Sequence, residues 1–421
     1  MSYYQITGGT PLTGTVKISG AKNAALPMIA AALLTDGPTT LKQVPDIEDI
    51  KVISQIITEL GGTITRQGSD LIIDGTTINN HLIAPELINK LRGAVLLLAP
   101  ILFRLKQVTF QFPGGCVIGD RPIDIHIDAL KALGAQVDQS EDTFHLSLPT
   151  EQLTANRITL REMSVTGTAT AIIAAATAAG TTIIQLAAFE PEIIALQDLL
   201  QTMGVKINRI DSTTIEIVGT TQFSPTSVTV IPDRIEAATY AAAAIATKGD
   251  LQIIGYTVDH LTLVTTKFRQ LGAQIEIIDP TTIRIKNSLD QLNPVNIQTN
   301  IYPNFPTDLQ PVWGTLALFA NGVTTIFEIM YNSRLGYLQE LAKMGAKFDI
   351  LNPHQAKIYG SHPLKPAQLS APDIRGGIAL VVAALATPGT TTIDQNYFID
   401  RGYEHLEAKL KSIGANITKV E

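Results

Sequence analysis

The chain has 421 residues, one cysteine and a formal net charge of −7. Hydrophobic residues make up 45% and charged residues 16%, which excludes a disordered chain and calls for large buried cores. The acidic balance argues against a nucleic-acid face, the lone cysteine excludes an intrachain disulfide framework, and the longest apolar stretches (169–179 and 378–386) are too short for membrane insertion.

Residues 1–7 carry no basic region followed by an apolar one, so a cytoplasmic protein is expected. In chain order, β-type segments stand near residues 4–6 and 15–18, and an almost wholly apolar helix follows at 25–34. Gly37 punctuates it, and a β-branched strand and an amphipathic helix ending at Gly61 come next. The plan then recurs. Variants of Leu-Gly-Ala close a helix at Gly61, Gly134, Gly204, Gly272, Gly345 and Gly414, with successive spacings of 73, 70, 68, 73 and 69. A second marker, Gly37, Gly180, Gly249, Gly322 and Gly389, runs in step, while the second unit has Lys106-Gln107 at that place. One unit of about seventy residues is therefore used six times. Each reads helix, turn, strand, helix, turn, strand, strand, and glycine is expected at both helix ends because the position after the C-cap needs positive φ.

Six such units group as two domains of three, each with three buried helices inside and sheets and amphipathic helices outside. The two N-terminal strands are expected to complete the last unit, after residues 416–420. The domains then run 22–230 and 1–21 plus 231–421, joined by two crossings that form a hinge over a cleft.

Residues that depart from the shared plan point to function. Acids and Ser/Thr at helix starts are ordinary caps, which suffices for Asp46, Asp49, Glu192 and Asp259. Cations there oppose the helix dipole by about 0.3–1 kcal/mol. Lys22, Arg92, Arg121, Arg334, Arg375 and Arg401 all stand at predicted helix starts, at matched offsets. Such a set predicts a ligand with several negative charges, bound by free N–H groups and guanidinium forks. Residues 113–122 (PGGCVIGDRP) set Cys116 between glycines and near Arg121, a setting for a reactive thiolate as well as for an inert small hydrophobe. Residues 305–311 (FPTDLQP) put Asp308 at a helix start, where an ionised carboxylate can act as a general base or simply cap the helix. The seven histidines have no metal-ligand spacing, and no Gly-x-x-x-x-Gly-Lys-Ser/Thr loop occurs.

Together, Gly20-Ala21-Lys22-Asn23-Ala24, Pro113-Gly114-Gly115-Cys116 with Gly119-x-Arg121-Pro122, Phe305-Pro306-Thr307-Asp308, Asp373-Ile374-Arg375 and Asp400-Arg401-Gly402-Tyr403-Glu404 resemble the UDP-N-acetylglucosamine 1-carboxyvinyltransferase family over essentially the whole length. The resemblance implies an α/β, two-domain enolpyruvyl-transferase fold of six βαβαββ repeats, three per domain, each domain an inside-out α/β barrel. It implies phosphoenolpyruvate and UDP-N-acetylglucosamine as substrates, no cofactor, no metal, and inhibition by fosfomycin through Cys116. Lys22, Arg121 and Arg401 would hold phosphoenolpyruvate. Asn23 and Asp308 would contact the sugar, with Asp308 as base at its 3-hydroxyl. Cys116 would be either proton donor or nucleophile. Arg92, Arg121, Pro122, Ile123, Asp124, Ile125, Ser164, Val165 and Met330 match contacts to the UDP-sugar, and Arg334 and Arg375 match other cleft residues. The chain departs from the family at Asp120, whose charge is expected to raise the thiol pKa, at Tyr331-Asn332-Ser333 and at Thr168-Ala169-Thr170-Ala171. The shikimate-pathway relative lacks the Gly-Gly-Cys loop, and a UDP-sugar sensor is the reading from a different class.

Overall fold

The computed structural model describes residues 2–112, 122–286 and 292–421. They divide into two compact units, one of residues 2–19 with Pro232–Glu421, the other of residues 20–112 with 122–231. Each unit has its own hydrophobic core.

The repeat is clearest at Arg157–Thr159, Val165–Ala176, Thr181–Gln185, Pro191–Thr202, Lys206–Asp211 and Thr214–Val218. Its first strand runs parallel to the second across the buried helix, with Ile158 opposite Ile184, and the last two strands form an antiparallel hairpin on the other side. The leading strand is only three residues long, too short to produce an alternating pattern, and the sequence reading omitted it. In the second repeat it shrinks to one parallel bridge, Leu82 to Thr109.

The apolar helices lie inside, as expected. Helix Ile374–Ala386 packs against both Arg234–Ala246 and Gln310–Ala317 in one unit, and Val165–Ala176 packs against Lys22–Ala32 and Leu98–Leu105 in the other. Their alanines and leucines leave the backbones close together and nearly free of solvent. The second helices are one-sided: Glu48–Glu59 buries Ile50, Val52, Ile53, Ile56 and Ile57 and turns Lys51 and Glu59 outward, with Asp49 the one buried charge. All six Leu-Gly-Ala-type glycines have φ between 93° and 110°, the left-handed conformation that ends each amphipathic helix. The second marker is less uniform. Gly180, Gly322 and Gly389 have positive φ, Gly37 and Gly249 do not, and Lys106 (φ 62°) and Lys248 (φ 54°) make that turn in their own repeats. At Gly249 the requirement is space, because a Cβ there would sit 2.1 Å from the carbonyl oxygen of Leu12.

The N-terminal strands separate. Tyr3–Gly8 is inserted between Gly389–Asp394 and Asn416–Val420 and completes the last repeat, as the sequence predicts. Thr13–Lys17 does not join it. That sheet is already four strands wide, and Thr13–Lys17 instead pairs in parallel with Asp250–Ile254, whose edge is open. Ser227–Thr229 does the same for Thr39–Lys42 in the other unit. Each strand thus precedes in the chain a helix of one unit and pairs within the other. At the crossings the amide of Ala21 donates to Ile231 O at 2.7 Å, and that of Asp233 to Ser19 O at 2.9 Å. No helix among the described residues is long and apolar enough to cross a membrane.

All ten tyrosines and the single tryptophan belong to the unit that includes Pro232–Glu421. Burial pushes the pKa of Tyr4, Tyr240, Tyr256, Tyr337 and Tyr403 above the ordinary value near 10.0. A phenol whose folded pKa exceeds its unfolded one contributes stability that is complete below about pH 10 and is lost as the pH rises beyond it. This unit should therefore unfold cooperatively in alkali, with the emission of the buried Trp313 moving red in the same step as tyrosinate absorbance rises. Gradual ionisation of all the tyrosines near pH 10, with Trp313 emission unmoved, would contradict the assignment.

Candidate active site

In the unit of residues 20–231, Lys22 is the first residue of helix Lys22–Ala32, and Asn23 the second. Ala21 before them is extended and provides no side-chain cap. Lys22 Nζ lies 3.2 Å from Asp49 Oδ2, and both side chains are largely buried (13% and 3% exposed). Asp49, read from the sequence as a plain cap, is therefore the counter-ion of the lysine. A buried acid at a helix start calls for a buried cation, but sequence does not show that the two helix starts are neighbours.

Arg92 opens the 3₁₀ turn Arg92–Leu97 and donates from Nη2 to the Pro122 carbonyl at 3.2 Å. Pro122 and Asp124 are exposed, and Ile123 and Ile125 are buried. Ser164 caps helix Val165–Ala176 by accepting from the Gly167 amide at 3.2 Å, and Val165 is half-buried beside it. The starts of helices Asp124–Ala132 and Val165–Ala176 touch, because a Cβ at residue 167 would lie 2.8 Å from Ile125 Cγ2. His126 fastens the pair through Thr170 Oγ1 at 2.8 Å from Nδ1 and Thr166 Oγ1 at 3.3 Å from Nε2. Cys116, Asp120 and Arg121 lie outside the described residues.

In the other unit, Asp308 sits in the first turn before helix Gln310–Ala317. Arg334 Nη2 reaches its Oδ1 at 2.7 Å and Arg375 Nη2 its Oδ2 at 2.9 Å. The two arginine side chains are only 2% and 4% exposed and that of Asp308 27%, so the carboxylate faces solvent and the cations lie behind it. Burial disfavours the charge of Arg375, but Asp308, Tyr403 and Asp233 together outweigh it and raise the guanidinium pKa above its ordinary value. Arg334 Nε is buried without a hydrogen-bond partner among the described residues. Asp373 holds the start of the Arg375 helix by accepting from the Arg375 and Gly376 amides at 2.8 and 3.1 Å. Met330 is half-buried, and its amide donates to Glu328 Oε1 at 2.9 Å. Glu328, fully buried, also accepts from Thr307 Oγ1 at 2.9 Å and so ties the Met330 turn to the residue before Asp308. The sequence reading missed Glu328, which is one acid after a strand with nothing local to mark it.

Arg401 departs from expectation. It is not at a helix start but is the C-cap of the one-turn helix Tyr397–Asp400, and the next helix begins only at Leu406, after His405 at φ 46°. The carboxylate of Asp400, the last residue of that turn, accepts from Tyr4 Oη at 2.6 Å, Lys419 Nζ at 2.8 Å and Asn396 Nδ2 at 3.2 Å. A cation following a helix C-terminus agrees with the dipole, so Arg401 leaves the group that opposes it. Lys22, Arg92, Arg334 and Arg375 stand in helical first turns as predicted.

Residues 6–410 match the family model described as EPSP synthase (3-phosphoshikimate 1-carboxyvinyltransferase). A UDP-N-acetylglucosamine 1-carboxyvinyltransferase from Desulfosudis oleivorans is 42% identical over 415 residues, covering 99% of this chain and 98% of the relative. Another, from Desulforapulum autotrophicum, is 38% identical over the full length of both chains. Among solved structures, the enolpyruvyl transferase NikO from Streptomyces tendae superposes with a TM-score of 0.90 at 24% identity, over 100% of this chain and 99% of NikO. EPSP synthase from Acinetobacter baumannii gives 0.77 at 18% identity over the whole of both chains; these two likenesses bear on the fold alone. The match along the whole length places the chain in the EPSP-synthase family of enolpyruvyl transferases, among its UDP-N-acetylglucosamine 1-carboxyvinyltransferases.

Proposed function

We propose that the chain transfers the enolpyruvyl group of phosphoenolpyruvate to the 3-hydroxyl of UDP-N-acetylglucosamine with release of phosphate, the first step of peptidoglycan synthesis. The observation that carries the reading is the full-length identity to transferases of that name, and the carboxylate held between two buried guanidiniums gives it a chemical centre.

The reaction runs by addition and elimination. A proton is added to C3 of phosphoenolpyruvate, which leaves C2 electron-poor. The sugar 3-hydroxyl attacks C2 and loses its proton, giving a tetrahedral ketal. Loss of a proton from C3 and of phosphate from C2 restores the double bond. Asp308 is the base at the 3-hydroxyl. Both its oxygens already accept from arginine, yet a carboxylate has about four lone-pair sites, and a hydroxyl attacking a cationic carbon needs only a weak base. Lys22 and Arg401, with Arg121, bind the phosphate and carboxylate of phosphoenolpyruvate as localised and forked cations. Asn23, Arg92, Arg121 to Ile125, Ser164, Val165 and Met330 bind the UDP-sugar, and Arg334 and Arg375 orient the base. The paired starts of the Asp124 and Val165 helices, fixed by His126, suit a diphosphate. Cys116 supplies the proton to C3 or adds to C2. Its thiolate is the group that the epoxide of fosfomycin alkylates. The reaction belongs in the cytoplasm, where phosphoenolpyruvate is made.

Phosphate release from phosphoenolpyruvate should depend on UDP-N-acetylglucosamine and fall by about 10²–10⁴-fold in Cys116→Ala. Release that survives that change would leave the enzyme but remove Cys116 from proton transfer, and no release with the UDP-sugar still bound would favour a sensor. Incubation with fosfomycin should add one inhibitor mass to the protein and none to Cys116→Ala. Replacing Asp308 by Ala strands two buried cations, so denaturant unfolding of its unit, followed by Trp313 emission, should show a loss of about 3–5 kcal/mol. An unchanged midpoint would mean that the ion pairs do not persist in solution.

A further inference from the structure

Arg375 carries more than its bond to Asp308. Its guanidinium lies 5.7 Å from the centroid of the Tyr403 ring, and its Nη1 donates to Tyr403 Oη at 3.4 Å. Tyr403 Oη is in turn 3.1 Å from Thr239 Oγ1, and Thr239 Oγ1 donates to the Ile235 carbonyl at 2.8 Å. Tyr403, Thr239 and Arg375 are all at most 4% exposed.

The direction of this chain is fixed by elimination. Guanidinium has no acceptor, so Tyr403 must accept from Arg375. A carbonyl only accepts, so the single proton of Thr239 goes to Ile235, and Tyr403 must donate to Thr239. The hydrogen bonds therefore point one way, from Arg375 through Tyr403 and Thr239 to the backbone of helix Arg234–Ala246. At its other end the same guanidinium donates to Asp308 Oδ2. Burial pushes the Tyr403 phenol up to about 12, against the pull of Arg375, so the proton is retained at working pH. Besides Arg375, the ionisable groups acting on Tyr403 are Asp233, at the start of the same helix, and Tyr240, next to Thr239.

We propose that Tyr403 is a positioning residue for the transfer reaction: by accepting from Arg375 Nη1 and donating to Thr239 it fixes the plane of the guanidinium, and so the orientation of the Asp308 carboxylate toward the sugar hydroxyl. The inference rests on Asp308 being the base. Without the phenol oxygen the Arg375 fork keeps its charge and its ring contact but can rotate about its stem, and Asp308 then loses alignment and part of the stabilisation of its anion.

The test is steady-state kinetics of the full chain across pH for wild type, Tyr403→Phe, Thr239→Val and Asp308→Asn. Phenylalanine keeps the ring and removes only the hydroxyl. Tyr403→Phe should lower kcat by about ten-fold, the equivalent of one charge-assisted hydrogen bond, with KM for both substrates within about two-fold. The acidic limb of its kcat/KM profile should move to higher pH, because a carboxylate less well paired with a cation is protonated more easily. Thr239→Val should move the limb in the same direction by less. A purely structural tyrosine would lower the folded fraction and leave the limb in place. An unmoved limb in Tyr403→Phe or, if that variant does not fold, in Thr239→Val, beside an inactive Asp308→Asn, overturns the relay alone. Turnover that survives in Asp308→Asn overturns the base assignment and the relay with it.

Discussion

Two guanidinium groups almost closed off from water share one carboxylate. Arg334 and Arg375 cannot lose their charge, and taking each out of water costs several kcal/mol unless an anion lies against it. Asp308 is that anion, 2.7 and 2.9 Å away. The arrangement requires the starts of three elements, separated by more than twenty residues at each step, to meet at one point. Much of this unit can be understood as the means of bringing them there: the Asp373 cap on the Arg375 helix, the Glu328 link between Thr307 and Met330, and the Tyr403 and Thr239 bonds behind the guanidinium.

The repeated unit makes that meeting possible. A buried helix of alanine and leucine lets its neighbours approach closely, so the apolar helices of each unit pack against one another. Functional side chains then need only the same offset in each repeat. The cost falls on side chains that oppose a helix dipole, and each is met by a specific anion or carbonyl: Asp49 for Lys22, the Pro122 carbonyl for Arg92, Asp308 for Arg334 and Arg375. Arg401 reaches its place differently, held after a single helical turn by an aspartate that the first strand and the last both grip.

The repeat was legible in the sequence because it rests on local physics. Helix ends that need positive φ choose glycine, buried helices choose small apolar residues, and both recur with every unit. For the same reason the helix-start cations stood out, and four of the five described ones are where the offsets put them. Arg401 departs from the offset because the segment divides into the one-turn helix Tyr397–Asp400 and a second helix from Leu406, a break that spacing and residue type do not mark. The edge strand Thr13–Lys17 was assigned to the wrong sheet because a strand does not encode which open edge will accept it.

By itself, then, the sequence determined the α/β class, the six repeats, the left-handed helix ends, the buried helices and the family to which the chain belongs, all of which depend on residue type and spacing. Only the tertiary structure decided which charges meet. That Asp49 faces Lys22, that one carboxylate serves two arginines, and that a phenol and a threonine stand behind one of them depend on distances between segments far apart in the chain. Burial makes these pairings matter, because in a medium that cannot solvate an isolated charge a guanidinium must find its partner, and that partner is chosen by the fold as a whole.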